Sequence, residues 1–276
     1  MQAPAGTHVL IPAFNEAATI RGIVERVLAV AANVIVVDDG STDGTAAQLE
    51  GLPITLLANE RNLGKAACLW RGLDHARAQG ASRVVTLDGD GQHDPADIVR
   101  LLHAADRFPG RIVIGARLQD KQNFPPHRYY ANQVARFGIS WAAGDPIADS
   151  QSGFRVYPST LLAQLTHADV SSGRFAFESE ILIEAGARGV RSVAVPIPGI
   201  YPPAARRSHF RPVADVARIV VMVAGRLFRR GMHPAGLWRS LSLPREIEAV
   251  PDERLVQGAA LGETRAPAGL PRADPA

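Results

Sequence analysis

Residues 84–99 read VVTLDGDGQHDPADIV, a stretch that starts as a strand and ends as a helix. The apolar run before Asp88 suits a buried strand. Beyond it, Asp94 is placed to cap, Pro95 suits a first helical turn, and Ile98, Leu101, Leu102 and Ala105 recur on one helical face. At the join stand Asp88 and Asp90, separated by a single glycine. Two carboxylates this close repel, and each disfavours the charged form of the other. A pair of this kind at a strand end calls for something positive between its members.

The same strand-to-helix alternation surrounds this stretch. Apolar strands are predicted at HVLIPA (8–13), VIVVDD (34–39), PITLLA (53–58), RVVTLD (83–88) and RIVIGAR (111–117). Asn15 is placed to cap a helix carrying Ile20, Ile23, Val24, Val27 and Leu28 on one stripe. Further helices are predicted from STDGTAAQLE (41–50) and LGKAACLWRGLDHARAQG (63–80). This order predicts an α/β fold with a doubly wound, mostly parallel sheet, helices on both faces, and ligands at the carboxyl ends of the strands. After Arg117 a loop enters a helix (118–144). A loop and short strand follow (146–158), then a helix closed by glycine (177–189) and a last strand, VRSVAVPIP (190–198).

Composition bounds the rest. The 276 residues are 46% hydrophobic and 21% charged, which suits one sizeable domain with an appendage. A single cysteine, Cys68, excludes a disulfide framework and points to a reducing compartment. The N-terminus has no signal-peptide pattern, and no apolar run reaches about 18 residues, so a cytoplasmic location is expected. Net charge is only +3, yet Arg206–Arg230 holds seven arginines and one acid, a local +6 against −3 elsewhere. Such a patch suits phosphates. Aromatics are sparse there and no nucleic-acid motif is present, so nucleic acid is not the expected partner.

Acidic motifs fall at three predicted strand ends: Glu16, the Asp38–Asp39 pair, and Asp88 with Asp90. One such carboxylate is usually a cap, but three sets at one sheet edge suggest a cleft for a nucleotide and a cation. With IPAFNE, DDGSTDGT, NERNLGKAA, LDGDGQHDP, GAR, DSQSGFR and FESEIL in this order, the chain resembles family 2 glycosyltransferases over roughly residues 8–210. The likeness is greatest to the branch that charges dolichol or polyprenyl phosphate with sugar. It implies a GT-A fold over 1–211, a UDP- or GDP-linked sugar donor, a Mg²⁺ or Mn²⁺ ion, and inversion at the anomeric carbon.

The resemblance also assigns residues. Pro12, Phe14, Glu16, Val37, Asp38, Asp39 and Gly89 correspond to donor nucleotide contacts, although Phe14 stands where the family more often has tyrosine. Asp88 and Asp90 correspond to the catalytic acids that address donor and metal, and Gln92 can add an amide oxygen. Hard divalent cations prefer oxygen ligands and are commonly held by one or two carboxylates plus substrate phosphates. Around the acceptor phosphate the resemblance gathers Arg117, Arg128, Ser152 and Arg155, with Arg206 and Arg207 following the last strand. Arginine suits that task because its fork binds phosphate oxygens bidentately and keeps its charge. His209 stands where relatives carry a lysine over the donor. Lys65 and Arg61 flank the nucleotide side, and a solvated helix charge is an equally open reading of each.

A phosphate monoester, with second pKa near 6, is already ionised at neutral pH and needs no base. A hydroxyl acceptor needs one, and Asp149 is then the candidate. A phosphatase reading is weakened because Asp88–Gly–Asp90 is followed by Gly-Gln and lies after the fourth strand. A non-catalytic nucleotide-binding protein would have no need of the full acidic set. Finally, residues 212–236 read as a basic amphipathic helix. Val213, Val216, Ala217, Val220, Val221, Val223, Ala224, Leu227 and Phe228 lie on one face, with Asp215, Arg218, Arg226, Arg229 and Arg230 on the other. From pattern alone this fits equally an anionic membrane surface facing the cytosol or a helix packed on the sheet with a solvated basic face, and a lipid acceptor favours the membrane. From 237 to 276 composition turns to proline, alanine, glycine and mixed charge, which predicts a disordered tail.

Overall fold

The apolar runs assemble into one seven-stranded sheet in the computed structural model, which describes residues 2–118, 126–170, 177–200 and 212–248. The strands are β1 (Thr7–Ala13), β2 (Asn33–Asp38), β3 (Thr55–Ala58), β4 (Arg83–Thr86), β5 (Ile112–Ala116), β6 (Arg155–Pro158) and β7 (Ser192–Pro196). Their order is β3-β2-β1-β4-β6-β5-β7. Every pairing is parallel except those of β6, which runs antiparallel between β4 and β5. The expected α/β architecture is present, and the reversed strand is the part that periodicity did not specify.

Alternation along the strands splits the core into two layers. Leu10, Ile35, Val37, Val84, Ile114 and Tyr157 face one side. There they pack with α2 (Lys65–Ala78), α4 (Pro126–Ala143), α6 (Phe177–Ala187) and α7 (Pro212–Arg229). Val9, Ile11, Val36, Val85, Val113 and Val156 face the other, against α1 (Ile20–Leu28) and α3 (Asp97–Arg107). A four-residue α5 (Ser159–Leu162) follows β6, and α8 (Pro234–Ser242) follows α7.

Four local expectations are corrected. Asn15 does not cap α1, which begins at Ile20. Asn15 adopts a left-handed φ of 56°, and its side-chain oxygen accepts the Thr42 N–H at 2.8 Å. The stretch 41–50 forms only a 3₁₀ turn at Ala47–Leu49. Gly44, at φ 88°, breaks any longer helix, and the Asp43 carboxylate is committed to the Ala17 and Thr45 N–H groups. Asp94 acts one turn ahead of α3, its carboxylate accepting the Ala96 N–H at 2.9 Å and pairing with Arg26. The tail does not lose structure at 237. α8 packs on α4, and Ile247 bridges to Ala194, extending the sheet beside β7. There Glu246 and Glu248 pair with Arg111 and Arg107.

Helix α7 is part of the domain packing. Ile219, Val223 and Leu227 are buried, whereas Val220, Val221 and Phe228 of the expected apolar face are exposed. Arg226, expected on the outer face, turns inward to Glu184, Glu180 and the Asp169 carbonyl. A fully buried carboxylate such as Glu180 needs a partner, and the arginine supplies it. Arg230 donates to the Ala142 carbonyl at 2.9 Å. No helix among the described residues is long and apolar enough to cross a membrane.

The closest helix approach in this layer is at Gly186 of α6, where an added Cβ would collide with the Ala143 carbonyl of α4. Neither backbone can yield without opening the core. Gly186→Ala is therefore expected to destabilise the protein by about 2–3 kcal/mol, read as a lower denaturation midpoint in urea. Unchanged stability would show that α4 and α6 are not packed this tightly.

Candidate active site

The strand order reverses at β1, which has β2 on one side and β4 on the other, and open α/β sheets bind ligands at such a crevice. Glu16 follows β1, Asp38 and Asp39 end β2, and Asp88 and Asp90 follow β4, so all three acidic sets meet at this edge. The loops after β1 and β2 are laced together. Asn15 N–H donates to Ser41 Oγ and Glu16 N–H to Thr45 Oγ1, each at 2.8 Å. Pro12, Phe14 and Glu16 remain half-buried along the crevice.

The β2 residues divide differently from expectation. Val37 is fully buried within the core, so its side chain does not reach the cleft. Asp39 is a strut: its oxygens accept from Asn59 Nδ2 at 2.8 Å, Leu63 N–H at 2.8 Å and Gly64 N–H at 2.7 Å. It thereby holds the turn that launches α2. Asp38 accepts Ser41 N–H at 3.1 Å and its hydroxyl. Gly89 is pressed between β1 and α1, where a Cβ would meet Ile20 Cδ1 at 3.3 Å and the Pro12 carbonyl at 3.4 Å. Its own carbonyl accepts Thr19 Oγ1 at 2.8 Å.

At the acid pair, Lys65 Nζ lies 2.6 Å from Asp88 Oδ1 and 2.7 Å from Glu178 Oε1. Burial alone would raise the Asp88 pKa, but the charges of Lys65 and, further off, Arg117 outweigh it and hold this carboxyl low. Asp90 moves the other way, raised by burial and then by the charge of Asp88. The repulsion foreseen between the two acids is thus relieved at Asp88 and left standing at Asp90. Asp90 accepts the Gln92 N–H at 3.0 Å. His93 is buried with Nδ1 unpartnered, and burial and the Arg117 charge push its pKa down to about 4, so the ring is neutral.

No group of three or more His, Cys, Asp and Glu among the described residues is placed to hold a metal by itself. Asp88, Asp90 and the half-buried Gln92 instead offer a few hard oxygen donors and one unrelieved negative charge. That donor set fits a divalent cation completed by substrate phosphates.

The loop that leads into β6, which the sequence suggested for an acceptor, lies against Asp88. Thr86 Oγ1 donates to the Gly153 carbonyl at 2.7 Å, and a Cβ on Gly153 would stand 2.7 Å from Asp88 Oδ2 and 3.1 Å from Lys65 Nζ. Only glycine lets this loop approach the acids so closely. Arg117 Nε lies 3.6 Å from Asp149 Oδ2. Burial would raise the Asp149 pKa, but Arg117 and the N–H groups of Gln151, Arg117 and Ser152 lower it below the usual carboxylate range.

Two residues expected at the acceptor phosphate are corrected. Arg155 is fully buried and donates to the carbonyls of Ser152 (2.8 Å), Glu178 (2.5 Å) and Ser150 (3.0 Å), so its fork is engaged by the chain itself. Ser152 is also fully buried, its Oγ accepting the Phe154 N–H at 3.3 Å. Arg128 falls in the first turn of α4 with its side chain outside the described residues, and Arg206, Arg207 and His209 lie outside them altogether.

Glu178 and His93 were not singled out from sequence, and for Lys65 the sequence left a place on the nucleotide side and a solvated charge equally open. One signal was available for Lys65. A lysine in the first turn of a helix opposes the macrodipole, so its presence there needs a reason beyond helix stability. The strut role of Arg155 leads to a prediction. Arg155→Met should destabilise the fold by about 3 kcal/mol, since three buried carbonyls lose their donor. Full stability with a selective loss of acceptor use would restore it to the phosphate site.

The family model described as glycosyl transferase family 2 matches residues 8–164. A UDP-N-acetylglucosamine–dolichyl-phosphate N-acetylglucosaminyltransferase of Methanococcus voltae is 29% identical, covering 70% of this chain and 85% of the relative. A polyprenol monophosphomannose synthase of Mycolicibacterium smegmatis is 30% identical, covering 69% and 76% respectively. Among solved structures, glucosyl-3-phosphoglycerate synthase from Mycobacterium tuberculosis, in complex with Mn²⁺, UDP-glucose and phosphoglyceric acid, superimposes with a TM-score of 0.60. That likeness spans 80% of this chain and 79% of the other at 20% identity, and it speaks for a shared fold alone. With its model spanning more than half of the chain, the chain belongs to glycosyl transferase family 2.

Proposed function

We propose that this glycosyltransferase moves a sugar, with inversion, from a UDP- or GDP-linked donor to a polyprenyl-phosphate lipid at a membrane surface facing the cytosol. The observation that carries the reading is the contrast between the two sides of one cleft. The donor side holds an acid pair of which only Asp88 has a paired ammonium among the described residues, and the acceptor side holds a carboxylate locked by arginine. Asp88, Asp90 and Gln92 would hold Mg²⁺ or Mn²⁺, which as a Lewis acid would stabilise charge on the departing nucleotide diphosphate. Pro12, Phe14, Glu16 and Asp38 line the crevice for the nucleotide. Arg117, beside Asp149, is the candidate for the acceptor phosphate, with Arg128, Arg206 and Arg207 as further candidates.

Asp149 bears on the choice of acceptor. A carboxylate held below its ordinary pKa by Arg117 and three N–H groups is a weak base, poorly matched to removing a hydroxyl proton. A phosphate acceptor is already ionised and requires orientation instead. Arg117→Ala is thus expected to lower acceptor-dependent transfer about tenfold to a hundredfold, the loss of one charge-assisted contact. Asp149→Asn should be milder, and excess EDTA should abolish transfer in the unmodified enzyme. A severe Asp149→Asn defect beside a near-normal Arg117→Ala would favour a hydroxyl acceptor, and full activity in EDTA would remove the metal.

The membrane assignment rests on α7 and α8, which both pack on α4 and expose large apolar side chains. Phe228 is 82% exposed, Val221 72%, Leu241 67% and Trp238 65%, beside the exposed Arg229 and Arg239. Apolar side chains among arginines suit an anionic interface. Replacing Phe228 and Trp238 with serine and Arg229 with glutamine should reduce sedimentation with anionic vesicles, most visibly at low salt. Equal partitioning of variant and parent would place the docking surface elsewhere.

A further inference from the structure

The ammonium of Lys65 answers the question raised by the acid pair, and its second contact suggests a further role. It is shared between Asp88 and Glu178 at nearly equal distances, 2.6 and 2.7 Å, with 28% of its side chain still exposed. Asp88 is similarly open, at 26%, while Glu178 is at 11%. Lys65 is thus a cation at the cleft wall with one carboxylate it can leave and one that would retain it. Glu178 is anchored from behind, since Arg155 donates to its backbone carbonyl. Asp88 belongs to the acid pair that faces the donor.

We propose that Lys65 is a built-in counter-ion that neutralises Asp88 until donor and divalent cation arrive together, and that it then turns to the donor diphosphate while remaining tethered to Glu178. The physical reason is competition for one carboxylate. An ammonium on Asp88 takes up the charge a divalent cation would use and repels that cation as well. Divalent cation alone should therefore bind weakly. The donor reverses this, because its diphosphate offers the ammonium a better-charged partner and offers the cation further oxygens. Lys65 acts here as a positioning residue that makes cation binding depend on the nucleotide. Gly153 leaves the room required, since any Cβ there would press on both Asp88 and Lys65.

The inference rests on the proposed divalent cation, and its test separates the two. Mn²⁺ is titrated into the nucleotide-free protein and into the protein with UDP, with free Mn²⁺ followed by electron paramagnetic resonance. Wild type should bind Mn²⁺ weakly alone and much more tightly with UDP. Lys65→Met should bind Mn²⁺ alone roughly tenfold to a hundredfold more tightly than wild type, the effect of deleting one nearby charge. It should also bind UDP in the presence of Mn²⁺ about tenfold more weakly. Lys65→Gln keeps an amide donor for both carboxylates and serves if the methionine variant does not fold. Glu178→Gln should shift Mn²⁺ binding the opposite way, because Asp88 then keeps the ammonium to itself. General damage to the site would weaken Mn²⁺ binding in every variant, so tighter binding on removing the lysine is the diagnostic result. Mn²⁺ affinity in the Lys65 variants equal to or below wild type overturns the counter-ion role while leaving the metal in place. Unchanged UDP affinity overturns the turn toward diphosphate. No Mn²⁺ binding by wild type even with UDP rejects the metal reading and this inference with it.

Discussion

The ion pair between Lys65 and Asp88 is the contact on which the acidic edge of the sheet depends. Parallel strands ending in aspartates concentrate negative charge where burial already penalises it. One ammonium, supplied from the start of α2 and held from the far side by Glu178, makes Asp88 tolerable in its ionised form. Asp90, two residues further along, has no such cation paired with it among the described residues and carries the remaining tension. The edge is therefore half neutralised, with the ammonium on one acid of the pair only.

Much of the surrounding structure keeps that contact in place. Asp39 gathers the N–H groups of Leu63 and Gly64 and so fixes where α2 begins. Arg155, buried among carbonyls, ties the loop after Ser150 to the first turn of α6, from which Glu178 projects. A buried cation serving three carbonyls is an expensive way to hold a loop. It does, however, align two elements that are distant in sequence, and such networks are effective when every donor is satisfied. The reversed strand β6 completes the arrangement by bringing Gly153 against Asp88.

Sequence reasoning went furthest where a pattern has a single physical meaning. Continuous apolar runs such as 34–37 had to be buried parallel strands, and acids at their ends had to face the carboxyl edge. The fold class and the meeting of the acids at one sheet edge followed from this. It fell short where one side chain has two uses. Asp39, Arg155 and Ser152 are polar residues within the expected motifs, and residue type does not say whether they face a ligand or the chain. Here all three face inward. Arg226 is a similar case, expected among solvated arginines yet drawn inward by Glu180 and Glu184.

By itself the sequence determined the strand and helix alternation, the edge at which chemistry occurs, the Asp88–Gly–Asp90 pair, and the family that these motifs resemble. Those features are local, set by side-chain period and by spacings of a few residues. Only the tertiary structure decided what neutralises Asp88, that Arg155 is spent on the carbonyls of the chain itself, and that β6 runs backwards between β4 and β5. Each of these depends on contacts between segments far apart in the chain, such as Lys65 with Glu178, or Thr86 with Gly153. Local pattern carries no record of such pairings. They are settled when the core closes and each buried charge must find a partner.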